Sequence, residues 1–464
     1  MEAPVQIPGS FRDPAGRVFQ VGDRIFRAIA ECAARDYEQV RDAGLLERLA
    51  DDGLLTAGAE VDPAILGEAG QDASYVIEHP RIPFITFPYE WSFSALKAAA
   101  RLHLELHLRL IEHEMTLSDA SAYNIQFIGP KPTFIDTLSL RPYRDGEYWL
   151  GHRQFCDQFL NPLLMRACIG MPHNAWYRGS LEGISSTELA RILPFRSKLS
   201  WRIASQVVLP AKLQRRAVEK AEGGLAKMPE RGLSKPAFKA MLSQLLRWIE
   251  TMIPADVGKT VWQDYAQTHS YNDPEEQAKR DMVEAFVKAT KPALLFDFGC
   301  NSGAYSALAL SSGAGSVIGF DMDQGALERA FARALADDLT FLPLYLDAAN
   351  PSPAQGWRQA ERPGLADRGP ANALLALAFV HHLAIARNIP LDQLLAWLTS
   401  LAPTGVIEFV PKNDPTVQRM LALREDIFSD YNVSNFAASL SRHARIVQRT
   451  VVSATGRELF WYSS

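Results

Sequence analysis

The chain has 464 residues, 47% of them hydrophobic and 22% charged, and a formal net charge of −5. That is the profile of an ordinary folded protein, too long for one hydrophobic core, and its charge gives no general attraction to nucleic acid. Four scattered cysteines (Cys32, Cys156, Cys168, Cys300) without a CxxC pair argue against a disulfide framework or a structural zinc. Met1-Glu-Ala-Pro-Val-Gln has no basic or apolar leader region, and no apolar run reaches transmembrane length, so a cytoplasmic location is the default expectation.

In chain order, residues 9–29 predict a β-hairpin, with Ser10-Phe11-Arg12 on one side, a turn at Asp13-Pro14-Ala15-Gly16, and alternating Val18, Phe19, Val21, Ile25 and Phe26. Helical periodicity follows at 31–52. Extended runs at Tyr75–Glu78 and Phe84–Phe87 precede a long helical pattern from about Phe93 to Met115. Further helices fill the region to about 190. Residues 194–247 then hold twelve Lys and Arg against three acids, with breakers at Gly223-Gly224, Pro229 and Gly232, which predicts a basic helical linker over 194–254. Within it, 195–220 mixes cations with Trp201, Ile203, Val207, Val208 and Leu209. That mixture suits either a helix with a solvated basic face or peripheral contact with an anionic membrane surface or acidic glycan.

From about 260 onward the texture changes. Strands at Leu294–Phe298, Ser316–Asp321, Thr340–Leu346, Ala371–Phe379 and Gly405–Val410 alternate with helical patterns, which predicts an α/β domain with a parallel sheet over 255–464. Ligands of such sheets bind beyond the C-terminal strand ends. The strongest local signal is there: Leu294-Leu-Phe-Asp297-Phe-Gly299-Cys-Asn301-Ser-Gly303, a strand running into a glycine turn and then a helix. A dinucleotide fingerprint would need glycines at 299, 301 and 304; Asn301 and Ala304 break that spacing.

This pattern resembles the first motif of class I S-adenosylmethionine-dependent methyltransferases, and the later landmarks fall in the family's order. The resemblance implies a Rossmann-like fold, with Asp297, Gly299, Asn301 and Gly303 lining the cofactor turn. Asp321, followed by Met322, would receive the ribose hydroxyls, and Asp347, followed by Ala348, would meet the adenine amino group. Asn301 stands where a glycine is common. The resemblance extends over 260–464 and implies methyl transfer from S-adenosylmethionine.

After the fourth strand stand Phe379-Val-His381-His382-Leu383. The motif of amino-methylating nucleic-acid enzymes and the Pro-Cys of cytosine-C5 enzymes are both absent there, so no nucleic-acid partner is favoured. Cys300 reads as a space-filler. His381 and His382 are the candidate bases for an oxygen nucleophile, on a small-molecule or glycan-type acceptor, with Glu408 available to orient one of them. Equally, one histidine packs on the cofactor and the other caps a helix.

The N-terminal region carries a second likeness. Asp119, Asn124 five residues later, and Asp136 after a strand match the catalytic-loop aspartate, asparagine and metal-binding aspartate of kinases. Residues 1–193 therefore resemble a kinase-like α+β domain. No glycine-rich phosphate loop or strand lysine accompanies them, and Leu117-Ser118 replaces His-Arg, which predicts a degenerate, non-catalytic domain with no metal of its own. A kinase-like module joined to a methyltransferase resembles bacterial enzymes that cap surface polysaccharides, with the order reversed. The whole chain resembles a group of bacterial methyltransferases, some associated with nodulation genes. Three functions stay open: a methyltransferase, a regulatory or scaffold protein that senses the cofactor, and a bifunctional kinase–methyltransferase.

Overall fold

The computed structural model describes residues 2–212, 233–256, 273–422 and 425–464. The chain forms two compact units, Met1–Val257 with Gln355–Arg362, and the remainder from Gly258.

The first unit begins with a five-stranded antiparallel sheet ordered β1 (Val5–Gln6), β2 (Gly16–Val21), β3 (Arg24–Ala30), β5 (Ala73–His79), β4 (Ala59–Val61). Alternation along β3 and β5 puts Phe26, Ala28 and Val76 into one apolar cluster and Ile29 and Ile77 into another, so both faces are covered. The hairpin turn differs from expectation. Val21 pairs with Arg24 around Gly22-Asp23, with Gly22 at φ +58°, and Ser10–Arg12 belongs to a 3-10 turn. The Asp13-Pro-Ala-Gly signature is a real turn, in which Asp13 accepts the Ala15 N–H at 2.8 Å, but it leads into the hairpin rather than closing it. Nor is Phe84–Phe87 a strand. Its extended backbone is held by a side chain, since Gln126 accepts the Thr86 N–H (2.8 Å) and donates to the Thr86 carbonyl (2.9 Å).

The helix Phe93–Glu112, N-capped by Ser92, carries the first unit's core. It leads to β6 (Met115–Leu117), the hairpin β7 (Ile125–Ile128) and β8 (Lys131–Phe134), and β9 (Leu140–Pro142), which pairs with β6. Of the stretch expected as a linker, 213–232 lies outside the described residues. The helix Lys235–Glu250 packs along Phe93–Glu112, and Lys97 caps the Glu250 and Met252 carbonyls at 2.8 and 2.9 Å, so this helix belongs to the first unit's fold.

The second unit is a seven-stranded sheet ordered β12 (Phe341–Tyr345), β11 (Ser316–Asp321), β10 (Leu294–Phe298), β13 (Ala373–Ala376), β14 (Thr404–Phe409), β16 (Glu458–Ser463), β15 (Arg445–Val451). The first five strands are parallel, and β16 enters antiparallel to both its neighbours. Near-continuous apolar runs such as Leu295-Phe296 and Ala373–Ala376 are buried because helices cover both faces. The order reverses between β10 and β13, which creates a crevice at their C-terminal ends. This Rossmann-like sheet fits the class I methyltransferase fold. Among the described residues no helix is long and apolar enough to cross a membrane.

Candidate functional site

The crevice of the second unit holds a cavity of about 350 Å³, in the size range of small-molecule sites. β10 brings Asp297 to its floor, where Oδ2 accepts from Ser306 Oγ at 2.6 Å. Burial pushes the Asp297 carboxyl up to about 6, against the opposing Ser306 bond. The turn that follows holds Gly299, Asn301 and Gly303 at φ +75°, +48° and +76°. Asparagine is among the side chains that best tolerate this left-handed region, which explains how Asn301 stands where a glycine is usual. At Gly303 the constraint is internal, because a Cβ would come within 2.4 Å of the Phe341 ring.

Asp321, at the tip of β11, braces that turn. Its Oδ2 accepts the Asn301 N–H at 2.9 Å and its Oδ1 the Asp323 N–H at 2.8 Å. A carboxylate can accept about four hydrogen bonds, so acceptor capacity remains. Burial pushes Asp321 up to about 6 despite backbone donors from Asp323, Asn301 and Met322. The Asn301 Oδ1 is buried with no partner among the described residues. Exposed Met322 lines the same cavity, as do Asp347 and Ala348. Asp347 accepts the Ala349 N–H at 3.0 Å and stands 3.7 Å from Arg387. Thus seven of the eight residues proposed for the turn and strand ends line one crevice, and the eighth, Gly303, is outside its lining, at the N-cap of the helix Ala304–Ser311.

The two histidines separate. His382 lines the cavity, and burial, followed by the Arg457 charge, lowers it to about 4, so the imidazole is neutral at pH 7. His381 is fully buried outside the cavity lining, its ring 4.2 Å from that of His382, and neither nitrogen finds a hydrogen-bond partner among the described residues. Glu408 is buried and ion-paired to Lys279 (2.7 Å) and Arg457 (3.3 Å), and it accepts the Ala378 N–H at 2.8 Å. That bond sits where β13 stops short of the strand expected to Phe379, with Ala378 at φ +49°.

Lys279, Arg457, Glu276 and Tyr305 also line the cavity and escaped the sequence reading. Arg457 is held by Asp414 at 2.7 Å, and Tyr305 donates to Glu276 at 2.7 Å. Lys279 and Glu408 lie 129 positions apart, and no local pattern marks either as half of a buried pair. A heptad reading of the helix Asp273–Thr290 would find Lys279 on the apolar face beside Met282 and Phe286, which is the one available hint.

The first unit contains a cleft of about 890 Å³, and Asp119, Asn124 and Asp136 meet in it. Asn124 Nδ2 donates to Asp119 (3.1 Å) and Asp136 (3.2 Å). Ser139 Oγ lies 2.9 Å from Asp119 and 2.5 Å from Asp136. The Arg27 guanidinium binds Asp136 at 2.5 Å. Burial, with Asp136 adding, raises Asp119 to about 6. Among the described residues, no group of three or more His, Cys, Asp or Glu is placed to hold a metal ion.

No protein-family model matches the chain. The nodulation protein NoeA of Rhizobium meliloti (strain 1021) is 47% identical over 460 residues, spanning 99% of this chain and 96% of that protein. The chain belongs to the NoeA family. Among solved structures, this NoeA-family chain is similar to magnesium protoporphyrin IX methyltransferase from Synechocystis PCC 6803 with bound SAH. Identity there is 18%, covering 45% of this chain and 97% of that one, with a TM-score of 0.32. It is also similar to the N-methyltransferase NodS from Bradyrhizobium japonicum WM9, at 12% identity, covering 42% and 98%, with a TM-score of 0.30.

Proposed function

We propose that the second unit binds S-adenosylmethionine and transfers its methyl group to a hydroxyl of a small-molecule or glycan-type acceptor. One observation carries this reading: a left-handed turn and three strand-end carboxylates converge on a single crevice of a class I methyltransferase-type sheet. The residues present fit the cofactor. Asp321 has spare acceptor capacity for ribose hydroxyls, Asn301 Oδ1 is an orphaned acceptor, and Asp347 faces the same space. When bound, S-adenosylmethionine supplies an electrophilic methyl group on a sulfonium.

What the chain adds is positioning and proton handling. His382, kept neutral by burial, can accept a hydroxyl proton at a ring nitrogen. Glu408 holds Lys279 and Arg457 at the cavity wall rather than floating free, which fixes two cations beside the acceptor space. The first unit, over the 1–193 region, reads as a kinase-like domain without phosphotransfer, because Arg27 already neutralises the Asp136 carboxylate.

Calorimetry of the full chain with S-adenosylmethionine tests the cofactor half of the proposal. Asp321→Ala should weaken binding by about 1.5–3 kcal/mol, and unchanged affinity would overturn the ribose assignment. Transfer of labelled methyl to hydroxylated acceptors, and not to amines, tests the other half.

A further inference from the structure

Residues 191–212 carry five cations (Arg191, Arg196, Lys198, Arg202, Lys212) and no acid, in a chain of net charge −5. A helix with a merely solvated basic face would bury its apolar side and show water its polar one. The segment does bury one apolar set, with Leu193, Ile203, Val207 and Ala211 anchored in the first unit, and Gln206 tied to His152 at 2.9 Å. A second apolar set faces outward. Phe195 is 75% exposed, Leu199 69% and Trp201 82%, interleaved with exposed Arg196 and Arg202. Residues 213–220 of that basic stretch lie outside the described residues.

Large apolar side chains clustered among cations, on a backbone already fixed by other contacts, mark a contact surface. We propose that residues 195–202 form a peripheral membrane-contact surface selective for anionic lipid. Trp201 and Phe195 suit the boundary between headgroup and hydrocarbon, and the arginines suit the negative headgroups. Leu199 has no π-face for a base to stack on, which disfavours single-stranded nucleic acid. A second copy of the chain would bring like charges together, which disfavours self-association through this face.

The test is co-sedimentation of the full-length protein with vesicles of equal parts phosphatidylcholine and phosphatidylglycerol, and with phosphatidylcholine alone. Binding to the anionic vesicles should be at least about 10-fold tighter, and should weaken at high salt. Phe195→Ser with Trp201→Ser, and separately Arg196→Gln with Arg202→Gln, should each abolish it. Both pairs are exposed, so the circular dichroism should not change. The proposal is overturned if wild type and both double variants sediment alike, or if wild type binds neither vesicle. It is equally overturned if the same substitutions instead abolish self-association in light scattering or binding of an oligonucleotide.

Discussion

The two units hold clefts built from the same residue types, yet the carboxylates in them are used differently. In the second unit, Asp321 spends part of its acceptor capacity on bracing a turn and keeps the rest facing a cavity. In the first, Asp136 is neutralised by Arg27, and Asn124 and Ser139 bridge it to Asp119. The spacing of Asp119, Asn124 and Asp136 is kept while these groups bond to one another and to Arg27, whereas the second cleft keeps hydrogen-bonding capacity that faces its cavity.

Removing one paired cation from each unit should separate the two. Arg457→Met leaves Asp414 and Glu408, both fully buried, without their shared cation, and should destabilise the second unit by about 3–5 kcal/mol in urea denaturation. Arg27→Met, in a more solvated pair, should cost clearly less. Equal losses would mean that the two clefts do not differ in the way described.

His382→Ala should lower kcat about 100-fold, roughly 2.7 kcal/mol, with cofactor affinity nearly unchanged, as for a base that touches only the acceptor. With His382 at about 4 in the free protein, kcat/KM should stay flat from neutral pH down to about pH 5 and fall below it. A titration near 6.5 in that profile, or equal loss of turnover and affinity, would remove His382 from this role.

Acid should also discriminate between the units. In the first, burial depresses His79, His103, His107, His152 and His173, and among the described carboxyls it raises only Asp13, Asp119 and Asp157. In the second, two depressed histidines, His381 and His382, stand against two raised acids, Asp297 and Asp321. A histidine whose folded pKa lies below its unfolded value binds protons more readily once unfolded. Each therefore costs up to about 1.4 kcal/mol of stability per pH unit as pH falls through the window between 6.5 and its folded value, here near 3 or 4 for His79, His103 and His173. Carboxyls raised to about 6 act oppositely, gaining stability as pH falls from 6 toward 4. The first unit should thus lose protection at a higher pH, as read by hydrogen exchange from pH 7 to 4. The smallest expected effect is none: Asp119→Ala with Asp136→Ala should leave ATP consumption at background, and robust turnover lost in that variant would make the protein bifunctional.

Much of the second unit was legible because parallel strands announce themselves as short apolar runs: two of the five expected ones coincide with the observed bounds and the other three match to within one to three residues at each end. The hairpin of β15 and β16 was not, since Arg445–Val451 is exposed along most of its length and lacks a clean apolar face. In the first unit Asp13-Pro14-Ala15-Gly16 was expected to close the hairpin, and the Gly22-Asp23 turn that does so was not anticipated. Phe84–Phe87 looked like a strand because its backbone is extended, but the partner is the Gln126 amide, a choice made by tertiary packing. The cofactor-type turn was readable from the sequence. The cations that back it were not, because pairing across 49 or 129 positions leaves no periodic trace.

The placement of β16 has a consequence for how the protein comes into being. Glu458–Ser463 is synthesised after both strands that flank it, so until it emerges β14 presents an open edge bearing Val406, Ile407 and Phe409. Arg457, immediately ahead of it, completes the ion network around Glu408 and Asp414 at the same late moment. Nascent chains stalled before residue 457 should therefore hold an unfinished, adhesive sheet, with Asp414 lacking its cation and Glu408 left with Lys279 alone. Val5–Ala30 of the first unit, by contrast, is synthesised before any strand of the second.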